Sequence, residues 1–243
     1  MDNSLDFPDL LRLIDERSTA FRAAVAAAPS LDVPVPTCPG WTLTDLVQHL
    51  TAGRRKWAGI VTTGEPPATP VQLGSLDLAA ATQELLDALR SVGPDRACWA
   101  PWQGSQSPQT CEAVARHQVQ EIAVHTYDAQ VAVGDPQPLP VDVALDGVEE
   151  FLSTSCAGTY AWPYEPCTVE YQATEGPAWR LSLSADEVGL TRRSTPGTDA
   201  GASLRGTAGE LVLVLYDRLA VDALKVEGDR RLFDLLIDWD PDA

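Results

Sequence analysis

The sequence predicts an α+β protein of two domains, a helix bundle followed by a smaller mixed domain of helices and strands. In the first half, apolar residues recur at the three- and four-residue spacings of amphipathic helices. Three prolines and a glycine then fall within the seven residues Gly134–Pro140, and short stretches beyond them alternate apolar and polar residues as strands do. We therefore place a helical domain in residues 1–134 and an α+β domain in residues 141–243.

Four amphipathic helices are expected in the first domain. Their periodic segments are Asp9–Ala28, a segment from Thr42 onward, Leu76–Val92, and Ser107 to about Val133. Thr42 with Asp45 three residues later predicts a capped start for the second helix. Ser107 followed by Pro108 predicts a cap and a proline at the first position of the fourth helix. Helices of this kind form a four-helix bundle, in which metal sites are built from side chains on facing helices.

The second domain is predicted to hold a small sheet between flanking helices. A helix is expected over Val141–Ser153. Three stretches have the alternation that is typical of strands, namely CTVEYQA, WRLSLSAD and VGLTRRS. The apolar stretches ELVLVLYDRL and RRLFDLLIDW are predicted to be helical.

Composition excludes several classes of partner. The formal net charge of −18 disfavours binding to nucleic acid or to anionic membranes, because both require clustered Lys and Arg. No apolar run approaches a membrane span, and the acidic start MDNSLDFPDLL lacks the basic region of a signal peptide. Five widely spaced cysteines without a CxxC pair disfavour a disulfide framework or a cysteine–zinc cluster. We expect a cytoplasmic protein, monomeric or homodimeric, whose reduced thiols mostly pack in the interior.

One helical segment, ARHQVQEIAVHTYDAQ (residues 115–130), is the most informative stretch for chemistry. Glu121 and His125 are four residues apart, which places their side chains one helical turn from each other. With His49 from the second helix they form the donor set of a catalytic zinc site, two histidines and a glutamate with one position left open. Asp128 can accept the second ring N–H of His125. The alternative is an ordinary surface pair, which is the commoner role of a Glu and a His at this spacing.

His117 lies on the same line of this helix but is not expected to be a ligand. From His117 to His125 the helix rises about 12 Å, so three ligands on it cannot all lie about 2 Å from one ion. We assign His117 to the substrate-facing side or to an outer hydrogen-bonding role, with a solvated histidine as the alternative.

Tryptophans and arginines offer further candidates for the surroundings of the site. Trp41, Trp99 and Trp102 are candidates for a pocket wall, although such residues more often pack in the core. In GRRKW, residues 53–57, we expect Arg54 and Arg55 on a solvated face, with a place at the mouth of the bundle as the alternative.

Taken together, these motifs give the chain a family resemblance. TCPGWTLTDLVQHL, the pattern E-x-x-x-H-x-x-D, LRGTAGELVLVLYDRL and VEGDRRLFDLL resemble the mycothiol-dependent maleylpyruvate isomerase family of actinobacteria over nearly the whole chain. The resemblance implies a DinB-like four-helix bundle and a sterol-carrier-like C-terminal domain. It also implies zinc or another divalent ion on His49, Glu121 and His125, with mycothiol as cosubstrate and its sulfur in the open position.

The resemblance further implies an arginine of the second domain at the active site. By its position in LYDRL we take Arg218 as this residue, with Arg205 next; the alternative for either is a surface or interdomain ion pair. Many family members carry an arginine four residues before the metal-binding glutamate and a histidine directly before it. This chain has His117 and Gln120 there, so we expect a different substrate side of the pocket.

These observations lead us to expect an enzyme. A free thiol has a pKa near 8.5 and a metal ion deprotonates it, so a thiolate becomes available to attack an electrophilic carbon in the cleft between the domains. The expected function is metal-dependent transfer of mycothiol to a small electrophile. One alternative is the cis–trans isomerisation of a maleylpyruvate-like acid, and another is a non-catalytic protein that binds a metal or ligand, for example a regulatory partner.

Overall fold

A computed structural model describes residues 5–66, 76–197 and 199–239 of the protein, so the predicted domain limits at residues 1 and 243 lie outside the described residues. The chain divides into two compact units. One comprises Met1–Pro101 and Gln109–Leu139, and the other comprises Trp102–Pro108 and Pro140–Ala243. The short segment Trp102–Pro108 therefore belongs with the second unit, although it precedes the last helix of the first.

The first unit is the predicted four-helix bundle. Its helices are α1 (Phe7–Ala26), α2 (Leu43–Thr63), α3 (Leu78–Val92) and α4 (Cys111–Ala132). α1 packs mainly on α4 and α2 mainly on α3. Their apolar faces meet in a core that includes Phe21, Leu43, Leu46, Leu50 and Ile122. The helical period seen in the sequence thus marks the buried face of each helix.

The predicted cap at the start of α2 is confirmed. The backbone N–H of Asp45 donates to the Thr42 hydroxyl oxygen at 3.3 Å, and the N–H of Thr42 donates to the Asp45 carboxylate at 2.8 Å. This reciprocal pair satisfies two backbone donors that the first turn of a helix leaves without partners. α2 is followed by Gly64, whose φ of 82° is the left-handed conformation common after a helix.

The predicted start of α4 at Ser107 is wrong. Thr110 is the cap, and its hydroxyl oxygen accepts the N–H of Ala113 at 3.3 Å. The preceding chain cannot be helical, because Thr110 pairs with Ala97 in an antiparallel bridge and the Cys98 N–H donates to the Gln109 carbonyl at 3.0 Å. Pairing with a distant segment therefore overrides the local cap-and-proline pattern.

The second unit has three α-helices and a five-stranded mixed sheet among the described residues. In chain order its elements are α5 (Val141–Phe151), a π-helical turn (Leu152–Cys156), β1 (Cys167–Ala173), β2 (Ala178–Leu183), β3 (Val188–Arg193), β4 (Ala202–Gly206), α6 (Ala208–Leu215), a 3-10 turn (Val221–Ala223), β5 (Lys225–Gly228) and α7 (Arg231–Asp238). The sheet order is β3-β2-β1-β4-β5. β1 and β4 are parallel and the other neighbours are antiparallel.

Three of these strands were predicted and two were not. β4 lies beside β1 and is buried at four of its five residues, so it lacks the alternation by which half-buried strands are found. β5 is a four-residue edge strand, KVEG, with charged residues typical of sheet edges.

Helix α5 ends two residues before the predicted end at Ser153, where the hydroxyls of Ser153 and Thr154 donate to the Glu150 carbonyl.

All five cysteines are free thiols. Burial raises the pKa of Cys98 and of Cys156 to about 12, and it also raises the pKa of Cys111 and Cys167. Across the described ranges, no helix has both the length and the apolar character needed to cross a membrane.

Candidate metal centre

His49, Glu121 and His125 converge on one point within the bundle. The Nε2 atom of His49 lies 2.7 Å from Oε1 of Glu121, and Nε2 of His125 lies 3.6 Å from the same oxygen. One donor atom from each residue lies within 4.8 Å of the others. The geometry thus brings together the two imidazoles and the carboxylate that the sequence analysis selected as ligands.

Two helices position these side chains. Glu121 and His125 are one turn apart on α4, while His49 comes from α2, next to the buried Leu50. The exposed fraction of the side chain falls from 40% at His49 to 26% at Glu121 and 10% at His125. The site therefore has a solvent-accessible rim at His49 and a buried floor at His125.

Asp128 orients the ring of His125. Its Oδ2 atom lies 2.8 Å from Nδ1 of His125, and the side chain of Asp128 is fully buried. A carboxylate at Nδ1 favours the ring form in which Nδ1 carries the proton and Nε2 is available as a donor to a metal. Nε2 is the atom that faces Glu121 and His49.

Cys38 and Trp41, from the turn that precedes α2, complete the surroundings. The turn folds on itself, since the Trp41 N–H donates to the Cys38 carbonyl at 3.0 Å and Gly40 supplies a φ of 82°. The Cys38 thiol donates to Asp128 at 3.4 Å. The Trp41 ring centre lies 5.1 Å from that of His49 and 6.4 Å from that of His125, so this tryptophan forms an apolar wall beside both histidine rings.

A second group of donors shares the His125 ring. Cys38, His125 and Asp128 also offer three donor atoms within 4.8 Å of one another. In this group Asp128 is fully buried and its carboxylate already accepts hydrogen bonds from both partners. The group around Glu121 is therefore the more accessible place for an ion and a substrate.

Electrostatics within the site favour a charged pair. Burial alone would raise the pKa of Glu121. Hydrogen bonds from His125 and His49 outweigh that effect and hold this pKa well below its usual range. Burial would lower the pKa of His125, but its hydrogen bonds to Asp128, Cys38 and Glu121 raise that pKa well above the ordinary value. The raised pKa of His125 favours a proton on its ring, beside the Glu121 carboxylate, and a divalent cation that binds both residues would have to displace that proton.

The remaining candidate residues from the sequence have surroundings of their own. The His117 ring packs edge-on against Trp57 at 6.0 Å, and His117 is not one of the grouped donors among the described residues. Trp102 belongs to the second unit, where its ring N–H donates to Pro108 at 3.4 Å. Trp99 lies in the first unit and is half-buried.

The two candidate arginines of the second unit differ in their surroundings. Arg218 is half-buried in the turn after α6, and its Nη1 donates to the Tyr216 carbonyl at 2.6 Å. The preceding residue, Asp217, has a φ of 59°, a left-handed conformation that turns the chain at this point. Arg205 lies on β4 and is exposed.

Arg54 is a residue whose placement the sequence analysis got wrong. It is 1% exposed rather than solvated, and its guanidinium contacts Gln118 on α4. The helical period contained the signal, because Arg54 lies four residues after Leu50 and three before Trp57, both of which are buried. The assumption that a charged residue must lie on the outer face outweighed that signal.

Comparisons with known proteins agree with this architecture. Residues 11–130 match a family model described as the mycothiol maleylpyruvate isomerase N-terminal domain, and residues 142–235 match the MDMPI C-terminal domain. The fold is similar to crystal structures of a mycothiol-dependent maleylpyruvate isomerase and of a histidine-to-alanine mutant, with TM-scores of 0.53 and 0.55. Each match covers 92% of this chain and 93% of the other at 14% identity, which supports the shared fold. No curated protein matches the sequence.

Proposed function

The chain belongs to the mycothiol maleylpyruvate isomerase family, and on that premise we propose that it is a metal-dependent enzyme that uses mycothiol to isomerise a small maleylpyruvate-like acid. The observation that carries the proposal is the convergence of His49, Glu121 and His125 beside a solvent-accessible rim. A purely structural zinc site would instead be closed by four protein ligands.

The donor set fits a divalent ion such as zinc. Two imidazole nitrogens and one carboxylate oxygen form a ligand set used by catalytic zinc. Ligand atoms about 2.1 Å from a tetrahedral ion lie roughly 3.4 Å apart. The distances of 2.7 Å and 3.6 Å from Glu121 to the two histidines bracket this value. When bound, the metal would supply a Lewis acid that keeps a thiol deprotonated near neutral pH.

The protein's own residues would orient the reactants and exclude water. Asp128 fixes the His125 ring, and Trp41 covers one side of the ligands with an apolar surface. An acid substrate needs a local cation in a protein with a net charge of −18. We assign that role to Arg218, whose guanidinium suits a carboxylate, and we assign His117 to the substrate-facing side.

Isomerisation by a thiol needs no other reactant, because the bond formed to sulfur is broken again and no electrons are gained or lost. The sulfur forms a bond to one carbon of the conjugated double bond while the π electrons move toward the neighbouring carbonyl. Rotation about the resulting single bond follows. The carbon–sulfur bond then breaks as the double bond returns, so the thiol is regenerated.

Transfer of mycothiol to a small electrophile is the second candidate function. His117 and Gln120 favour it, because the family pattern has an arginine and a histidine at these positions. In transfer the carbon–sulfur bond persists and a leaving group departs, so the thiol is consumed.

One assay separates these functions. The purified protein is incubated with a cis-configured maleylpyruvate-like acid and a small fraction of an equivalent of mycothiol, and in parallel with 1-chloro-2,4-dinitrobenzene and excess mycothiol. An isomerase converts many equivalents of the acid without loss of thiol, whereas a transferase consumes thiol only with the second substrate. His49→Ala should abolish either activity with the fold intact, because His49 lies at the exposed rim.

Two results would contradict the proposal. One is turnover in neither assay by zinc-loaded protein. The other is metal content below about a tenth of an equivalent in protein purified without chelator and then resupplied with zinc. Either would favour a binding protein without catalysis.

A further inference from the structure

We infer that Arg54 is a positioning residue, which holds α2 at the distance from α4 that brings His49 to Glu121 and His125. The inference rests on the proposed function, because it concerns the same metal site. It assigns a task to a buried charge that does not itself touch the ligand atoms.

Arg54 is a buried cation at a position that suits an apolar residue. It is 1% exposed and lies between Leu50 and Trp57 on the buried face of α2. Burial lowers its pKa to about 10 and the charge of Glu121 opposes that change, so the guanidinium stays protonated at neutral pH. A buried charge is costly unless its hydrogen bonds offset the loss of water. Packing alone therefore does not account for an arginine here.

The hydrogen bonds of Arg54 link its side chain on α2 to the backbone and side chain of Gln118 on α4. Nη1 donates to the Gln118 side-chain oxygen at 2.7 Å and to the Gln118 carbonyl at 3.2 Å, and Nη2 donates to the same carbonyl at 3.3 Å. The carbonyl belongs to the backbone of α4, so these bonds constrain the helix itself. The Nε atom of Arg54 is buried without a hydrogen-bond partner among the described residues, so the contacts to Gln118 are what orient the group.

The Arg54–Gln118 contact lies beside the ligand contact between the same helices. Arg54 follows His49 by about 7.5 Å along α2, and Gln118 precedes Glu121 by about 4.5 Å along α4. The helices are thus linked at two neighbouring points, His49 to Glu121 and Arg54 to Gln118.

Direct packing between these two helices is limited. α2 packs mainly on α3 and α4 mainly on α1. The two helices also share the apolar core in which Leu46 and Leu50 of α2 meet Ile122 of α4, and the Arg54–Gln118 bridge adds a polar constraint on their separation. Metal–ligand distances tolerate deviations of only about 0.2 Å, so a small change in this separation would remove His49 from the site.

The experiment compares zinc and cobalt(II) binding by variants that keep or remove the bridge. Arg54→Met with Gln118→Leu replaces both partners by apolar side chains, which avoids leaving a buried polar atom alone. Arg54→Lys keeps a shorter donor. Arg55→Met is the matched control, because Arg55 is the adjacent arginine of α2 and its Nε lies 3.7 Å from Glu84 of α3.

We expect the double variant to bind zinc at least about 10-fold more weakly than the unmodified protein, the range seen for outer partners of metal ligands. Its thermal midpoint should stay close to that of the unmodified protein. The visible absorption of bound cobalt should change intensity, because the coordination changes when His49 withdraws. The zinc affinity of Arg54→Lys should lie between those of the double variant and the unmodified protein. Arg55→Met should bind zinc as the unmodified protein does.

Two outcomes would overturn the inference while the metal site stands. One is unchanged zinc affinity in the double variant. The other is that the double variant and Arg55→Met both bind zinc more weakly and lose the same amount of thermal stability. That result would indicate a general structural effect. Failure of the proposed function has a different signature, namely that the unmodified protein binds neither ion, or binds them equally well after His49→Ala.

In the metal-free protein, the ring NMR signals of His49 should shift in the double variant and not in Arg55→Met.

Discussion

His125 is the residue whose surroundings are most fully determined. Asp128 lies at one ring nitrogen, three residues later on the same helix, and Glu121 lies toward the other, four residues earlier. Both contacts follow from helix geometry alone, so they could be predicted from the sequence. Cys38 and Trp41 could not, because their approach depends on how the turn before α2 folds against α4.

Asp128→Asn should weaken zinc binding by about 10- to 100-fold, because an amide lacks the charge that supports Nε2 of His125 as a donor. Zinc competition titrations measure this loss. The matched control is Cys38→Ser, which keeps a hydrogen-bond donor toward Asp128 and should bind zinc as the unmodified protein does. Equal affinities in the Asn variant and the unmodified protein would show that Asp128 does not support the ligand.

At the scale of the secondary-structure elements, the sequence predicted the helices better than the strands. Helical periods mark long, half-buried faces and depend only on near neighbours in the chain. β4 pairs with β1, and the segment before α4 pairs with Ala97. No local sequence pattern predicts either of these distant partners. Arg54 is an intermediate case, since the period placed it on the buried face while its charge suggested the opposite.

The capping box of α2 offers a test of how one element supports the site. Thr42→Ala should reduce the free energy of unfolding by about 1 kcal/mol, because the first turn loses its hydroxyl acceptor. It should also weaken zinc binding, since α2 carries His49. Urea unfolding and zinc titration measure the two effects.

Thr207→Ala is the control for this change. Thr207 caps α6 of the second unit through the same reciprocal pair, with Glu210. We expect a similar loss of stability and no loss of zinc affinity. Equal effects of the two substitutions on zinc binding would contradict a specific role for the α2 cap.

At the scale of the whole molecule, bound metal should add stability that depends on pH. Zinc at 100 times its dissociation constant adds about 2.7 kcal/mol to the folded state. The metal needs a neutral His125 ring. The pKa of His125 is raised well above the ordinary value, because the hydrogen bonds to Asp128, Cys38 and Glu121 outweigh the opposing effect of burial. Zinc must therefore displace a proton in neutral solution, and this becomes easier as pH rises.

The metal-free protein should respond in the opposite direction. A histidine whose pKa is raised by folding contributes stability at low pH, and that contribution is lost as pH rises through the folded-state pKa. Thermal midpoints measured with zinc and with chelator, at several pH values between about 6 and 8, should therefore diverge as pH increases. Parallel curves, or curves that converge at higher pH, would exclude His125 as a ligand that gives up its proton to the metal.

Burial of the cysteines has a consequence for a protein that is proposed to work with a small cellular thiol. Mixed disulfides form through the thiolate, and a thiol with a pKa of about 12 is ionised in only about one molecule in 10⁵ at pH 7. Cys98 and Cys156 are therefore poor targets for S-thiolation, and Cys111 and Cys167 are shifted in the same direction. Burial thus makes four of the five cysteine thiols poorer partners for exchange with the redox buffer from which the protein would draw its cosubstrate.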